Sequence, residues 1–177
     1  QYSNIDISKK TSENISSLSE SNTFCITTGH QLNLFTGPLM VIFKIAQVIS
    51  ISKQLNLDSK NFKYVPVLWI ASEDHDFEEI SEVYFRDKKV NYFTKAKGSV
   101  GRMKIEDLSI FLDQIFTFFP ANNLAKRIKK IITSAYTDKF TLANATRWLV
   151  HQLFGDKGLI IIDPDSHNLK KMFASYM

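Results

Sequence analysis

Apolar residues fall along this chain in short continuous runs separated by turn-forming clusters, and the runs differ in period. The segment FCITT (24–28) is rich in β-branched and aromatic residues, which suits a buried strand. From Thr36 to about Leu55 the chain is apolar nearly all round a helix, with a narrow polar strip of Lys44, Gln47 and Gln54. That pattern predicts a helix covered on most sides. After a loop at 56–61, YVPVLWIAS (64–72) is a near-continuous apolar run of the kind found in parallel strands buried on both faces. GLIIID (158–163) predicts a third buried strand, ending at Asp163 in the turn signal DPDS. Strand, helix, strand is a βαβ unit. Its crossover puts both strand ends on one edge, so residues after Thr28 and after Ala71 should be neighbours.

The remainder does not continue the alternation. YFRDKKVNYFT (84–94) alternates around a charged turn and predicts a hairpin, and KGSVG (97–101) is a loop. A helical pattern follows from Leu108 to Phe119, where Pro120 ends it. Leu124, Ile128, Ile131, Ile132 and Ala135 form the apolar stripe of another helix, and Leu142–Phe154 forms one more, with Gly155 as its left-handed C-cap. The expected architecture is therefore α/β: a parallel sheet with a hairpin-plus-helices subdomain inserted at about 84–138. Residues 1–23, dense in Ser, Asn and Lys, read as a linker or frayed helix. The chain has no starting Met and stops inside the helix-like SHNLKKMFASYM, so it is expected to be a fragment of a longer protein.

Candidate chemistry gathers at the predicted strand ends. TTGHQLNLFTGP (27–38) joins the first strand to the first helix. Thr36 is the expected N-cap, Gly37 carries no side chain, and Pro38 suits the first turn. The helix amides would then face Thr28, Gly29, His30, Gln31 and Asn33, an arrangement suited to phosphate or carboxylate. A solvated connector is the plainer alternative. Neither GxxxxGK nor GxGxxG occurs.

SEDHDFEEI (72–80) holds Glu73, Asp74, His75 and Asp76 just past the second strand. Carboxylates there can hold Mg²⁺ or a substrate ammonium, and His75 could shuttle a proton. Glu78, Glu79 and Glu82 fit the first turn of an ordinary helix, and no HExxH or CxxC motif marks a zinc site. On the helix after Thr141, Asn144, Arg147 and His151 share a face. It is either a solvated polar face or, if turned toward the strand ends, one that offers Arg147 as an anion clamp. Asp163 would be delivered to the same edge.

Composition narrows the classes. A chain of 177 residues, 44% hydrophobic, supports one ordinary core. Its apolar runs are far shorter than the roughly 18 residues a membrane helix needs. There is no leader-like N-terminus, and the single Cys25 is expected to fill a buried strand position, which fits a reducing, cytoplasmic setting. Charge is uneven: 9 basic and 11 acidic residues over 1–90, against 13 and 7 over 91–177. The basic run KRIKK (126–130) lies on an amphipathic helix without interleaved aromatics, so nucleic acid is not the expected partner.

TTGHQLNLFTGP, VPVLWIASEDHDFEEI, GSVGRM, LANATRWLVHQLFG and GLIIIDPD, in this order, closely resemble the bacillithiol biosynthesis cysteine-adding enzymes (BshC) over about residues 24–173. The resemblance implies a Rossmann-like domain with connective-peptide insertions over 24–177, and a coiled coil that makes the parent a homodimer. It implies an ATP-dependent ligase joining cysteine to glucosaminyl malate by an amide bond. ATP and Mg²⁺ are the implied cofactors, and small molecules the implied partners, with no nucleic acid or membrane. It makes Gly29–Gln31 and Asn33–Gly37, Phe35 included, the turn beside substrate or nucleotide, and Glu73–Asp76 the second wall. Amides at Thr36 and Gly37, with Mg²⁺ on Asp74 or Asp76, would neutralise charge, and His75 would take the amine proton. Where the family frequently has TGQQ, this chain has TGHQ. A nucleotidylyl transferase acting on another acid, or a non-catalytic ligand-binding domain of the thiol pathway, are the alternatives.

Overall fold

The computed structural model describes residues 1–2, 5–85, 87–92, 97–105, 108–174 and 176. In chain order the elements are α1 (Lys9–Ser17), β1 (Thr23–Gln31), α2 (Leu39–Asp58), β2 (Lys63–Ala71), β3 (Glu82–Phe85), β4 (Lys88–Asn91), α3 (Leu108–Phe116), α4 (Asn123–Ala135), α5 (Leu142–Phe154), β5 (Ile160–Ile162) and α6 (His167–Phe173). They divide into two compact units: Gln1–Gln31 with Pro38–Ala71 and Val150–Met177, and Leu32–Gly37 with Ser72–Leu149.

The first unit is a parallel sheet in the order β1-β2-β5. β1 and β2 run in register from Thr23 opposite Lys63 to Gln31 opposite Ala71, and Val67 to Trp69 pair with Ile160 to Ile162. The expected βαβ unit and third strand are thus present. Val65, Val67 and Ile160 form a buried cluster, with Ile15 and Ile162 packed against it. β1, expected to be buried, lies at the sheet edge and alternates between exposed and half-buried positions. Cys25 is accordingly exposed rather than a core filler.

α2 also departs from expectation. It buries Val41, Ile45, Val48 and Ser52, a single stripe at helical spacing, and leaves Leu39, Met40 and Phe43 exposed. It packs on β1 and β2 along that one face. Apolar composition all round therefore does not produce burial all round in this chain. Among the described residues, no helix is long and apolar enough to cross a membrane.

Of the two expectations for residues 1–23, linker or frayed helix, the described residues show the helix, α1. Ser8 caps α1 by accepting the Thr11 N–H at 3.1 Å. Thr11 Oγ1 donates to the Gly155 carbonyl at 2.9 Å, and Asn14 Nδ2 donates to the Gly158 carbonyl at 2.7 Å. Both side chains are buried. The polar residues that suggest disorder are the ones that hydrogen-bond the helix to the turn before β5. In that turn the left-handed residue is Gly158 (φ 82°), not Gly155, and a Cβ on Gly158 would sit 2.5 Å from Asn14 Nδ2.

The second unit contains the expected hairpin, β3 pairing antiparallel with β4 from Glu82–Asn91 to Phe85–Lys88. Its predicted span began two residues later and ended at Phe93 and Thr94, which lie outside the described residues. Phe85 stacks on Phe118 and Phe119, just beyond α3. α4 is capped by Asn122, whose Oδ1 accepts the Ala125 N–H at 2.8 Å. Its buried positions are Ala125, Ile132 and Ala135, whereas Leu124 and Ile128 of the expected stripe are exposed. The unit extends beyond the expected insertion, beginning at Ser72 and running on to Leu149 within α5.

Candidate functional site

The turn that follows β1 is strained. Leu34–Thr36 form a single 3₁₀ turn, with Phe35 at φ 55° and Thr36 at φ 76°, and Gly37 follows at φ 79°. Left-handed backbone costs a non-glycine residue on the order of 1–3 kcal/mol, and more readily so for a β-branched one. Thr36 is therefore not an N-cap: α2 begins at Leu39 with Pro38 in the cap position. The Gly37 amide is not offered to a ligand either, because it donates to the Leu34 carbonyl at 3.0 Å. Glycine is required at 37, since a Cβ there would also lie 2.7 Å from the Asn33 Cβ.

Phe35 is held from the far end of α4. Its N–H donates to Tyr136 Oη at 2.6 Å. Its ring stacks on Phe111 at 5.8 Å and meets Tyr136 edge-on at 5.2 Å. Burial pushes the Tyr136 hydroxyl far above its ordinary pKa, so it stays protonated.

The acidic segment past β2 forms a tight turn, followed by one 3₁₀ turn at Glu78–Ile80 rather than a longer helix. Asp74 Oδ1 accepts the amides of His75 (2.7 Å) and Asp76 (3.2 Å), and Asp76 Oδ1 accepts the Glu79 amide at 3.3 Å. Glu73, His75 and Asp76 are exposed, and Asp74 is half-buried. This segment is clamped by residues 99–101. Val100 N–H donates to the Asp74 carbonyl at 2.7 Å and Gly101 N–H to the Ser72 carbonyl at 2.9 Å. Ser99 Oγ donates to the same Ser72 carbonyl. Sequence reasoning placed a loop here and missed this role. The small residues of GSVG were the available signal, because only a glycine lets position 101 approach so closely.

Among the described residues, no three His, Cys, Asp or Glu side chains are grouped to hold a metal ion. Asp74 and Asp76 offer hard oxygen donors of the type Mg²⁺ prefers, as a pair and not a cage. A pair is how Mg²⁺ is ordinarily bound when phosphate and water complete its shell.

The remaining candidates divide between the units. Thr28, Gly29, His30, Gln31 and Asp163 belong to the first, whereas Asn33, Phe35, Thr36, Gly37, Glu73–Asp76 and Arg147 belong to the second. Gln31 and Ala71 are the last paired residues of β1 and β2, and the chain passes from this rung into the second unit at Leu32 and at Ser72.

In the first unit, His30 is half-buried, and burial together with the Lys44 ammonium pushes its pKa below the ordinary value. Lys44 Nζ donates to the Gly29 carbonyl at 3.4 Å. Lys44 is a second missed residue, and its signal was being the one charge between Leu39 and Ser52. Asp163 shapes its own turn, Oδ1 accepting the Asp165 N–H at 3.0 Å, while its backbone amide donates to Gln1 Oε1 at 2.9 Å.

The polar residues of α5 are not a solvated face. Arg147 and His151 are both buried. Arg147 Nη1 donates to Asn144 Oδ1 at 3.4 Å within the second unit. His151 Nε2 accepts the Ser8 N–H at 3.2 Å, with its ring against Tyr2, so it anchors the N-terminal segment.

A family profile described as the N-terminal Rossmann-like domain of the bacillithiol biosynthesis protein BshC matches residues 1–177. The chain belongs to the BshC family. Its sheet is thus the Rossmann-like core of a BshC N-terminal domain, as the motifs implied. A relative in Flavobacterium psychrophilum named "Putative cysteine ligase BshC" is 45% identical over 100% of this chain and 33% of its own length. BshC relatives bearing the same name are 44% identical in Flavobacterium johnsoniae, over 99% of this chain and 33% of the relative, and 32% identical in Bacillus cytotoxicus, over 95% and 32%. The chain therefore spans about a third of the length of these curated relatives.

Proposed function

We propose that this chain is part of an ATP-dependent cysteine ligase that joins cysteine to glucosaminyl malate, completing bacillithiol synthesis. One observation carries the reading. Two polar loops, both fixed by contacts within the second unit, continue the chain from adjacent parallel strands after the paired residues Gln31 and Ala71. The carboxyl edge of such strands is where open α/β sheets bind ligands. The relatives' names, which read cysteine ligase, support the ligase part of this reading.

Amide formation needs an activated carboxylate and an attacking amine. ATP with Mg²⁺ would supply the activation, and Asp74 and Asp76 would hold the metal. Asp74 is suited to this because its own turn fixes its carboxylate through two amides. His75, exposed beside it, would accept the proton the amine releases. Asn33, half-buried on the strained turn, would bind substrate, whereas Thr36 is buried. The Gly37 amide, which donates to the Leu34 carbonyl, takes no part in anion binding. The test is a thiol-product assay on the full-length parent with glucosaminyl malate, cysteine and MgATP. Product is expected from the parent and at least tenfold less from Asp74→Ala and His75→Ala. Folded parent giving no product, under sound coupling controls, would sink the reading.

A further inference from the structure

Phe35 and Thr36 occupy backbone conformations that both would leave if nothing held them. Three contacts hold the turn: the Gly37 amide on the Leu34 carbonyl, the Phe35 ring against Phe111 and Tyr136, and the Phe35 amide on Tyr136 Oη at 2.6 Å. The first closes the turn without choosing its hand at Phe35, and ring packing tolerates sliding. The bond to Tyr136 is directional and fixes where the Phe35 peptide plane points.

We propose that Tyr136 is a positioning residue for ligand binding: its hydroxyl oxygen holds Phe35 and Thr36 left-handed, and so sets where the half-buried Asn33 presents its polar group. This rests on the reading of the turn as a pocket wall. Tyr136 is suited to the task because it cannot move easily. Its own amide donates to the Ile132 carbonyl at 3.0 Å, ending α4, and it is buried beside the fully buried Ala135. Removing the hydroxyl leaves the Phe35 N–H without that acceptor in a part-buried place, and the way to regain a partner is to turn the peptide toward water. The aromatic packing would survive that change.

The experiment uses Tyr136→Phe in the full-length parent, with Asn33→Ala alongside. Amide hydrogen exchange across residues 33–37 is expected to accelerate at least tenfold in Tyr136→Phe. KM for one substrate should rise about tenfold, with kcat within about twofold. A purely structural role would instead lower the active fraction, reducing kcat at unchanged KM, and that result overturns the proposal. Unchanged exchange also overturns it, and if Asn33→Ala still raises KM the reading of the turn survives. If exchange accelerates but neither variant alters KM for any substrate, the pocket-wall reading falls, and the proposal with it. Should Tyr136→Phe fail to fold, 4-fluorophenylalanine at position 136 fills the hydroxyl's space without its acceptor strength and replaces it in every comparison.

Discussion

Gly101 lies so close to Ser72 that a Cβ on the glycine would sit 2.5 Å from the serine Cβ, and the two are also joined by the 2.9 Å bond from the Gly101 amide to the Ser72 carbonyl. The acidic turn that follows Ser72 is therefore shaped by a loop from elsewhere in the chain. Gly101→Ala should cost about 1–3 kcal/mol through overpacking. It should also reduce ligation by the parent more than that stability loss explains, because Asp74 moves. Thermal melts and steady-state assays on the same preparation check this. Wild-type ligation from a destabilised but folded variant would show that the clamp does not govern the acidic turn.

Gly37→Ala combines two penalties, a left-handed φ and a 2.7 Å approach to the Asn33 Cβ. The variant should lose more than about 1 kcal/mol in denaturant unfolding. A midpoint equal to wild type would mean the turn relaxes without cost.

The βαβ unit was legible because β2 is a continuous apolar run and β5 repeats it in GLIIID. Their pairing needs nothing beyond burial on both faces. The strained turn was not legible in the same way. Propensity places Thr36 at a cap, whereas the turn is held by contacts of the neighbouring Phe35 with Phe111 and Tyr136, far along the chain. A helix within residues 1–23 was one of two readings, but its docking was hidden, since Thr11 and Asn14 look solvent-loving until Gly155 and Gly158 supply their acceptors. Of the candidate site, residue types at the strand ends were readable. The clamp by Ser99, Val100 and Gly101 was signalled only by the small residues of GSVG, because two of its three donors are backbone amides.

Thr11 gives a direct test of that docking. Its hydroxyl lies within hydrogen-bonding distance of the carbonyls of Gly155 and Leu159, at 2.9 and 3.2 Å. Thr11→Val keeps the shape and removes the donor, at a cost of about 1–3 kcal/mol. Limited proteolysis should then cut within residues 1–22 at least several-fold faster. An unchanged cleavage rate would mean the hydroxyl contributes nothing to holding α1.

His151 makes the first unit acid-sensitive. Burial lowers its pKa, outweighing the Asp6 backbone and carboxylate, which raise it. The folded state thus prefers neutral imidazole. The stability this contributes is complete above the unfolded value near 6.5 and falls as pH drops below it, until the lowered folded pKa is passed. Melting temperature against pH should show this decline in wild type and a flatter profile in His151→Gln. Parallel profiles would assign the acid sensitivity to other groups.

Lys44 lowers the His30 pKa by its charge, after burial. Lys44→Met should therefore raise the His30 titration midpoint measured by NMR, and a midpoint unmoved or lower would break the pairing.

The edge position of β1 leaves the chain's one thiol, at Cys25, accessible four residues before Gly29. What shielding it has pushes its pKa above the ordinary value, so its thiolate population grows only under alkaline conditions. A methanethiosulfonate spin label, which reacts with thiols and not with amines, would at mildly raised pH mark this strand alone in the 177-residue chain, giving a built-in spectroscopic reporter that needs no engineered residue.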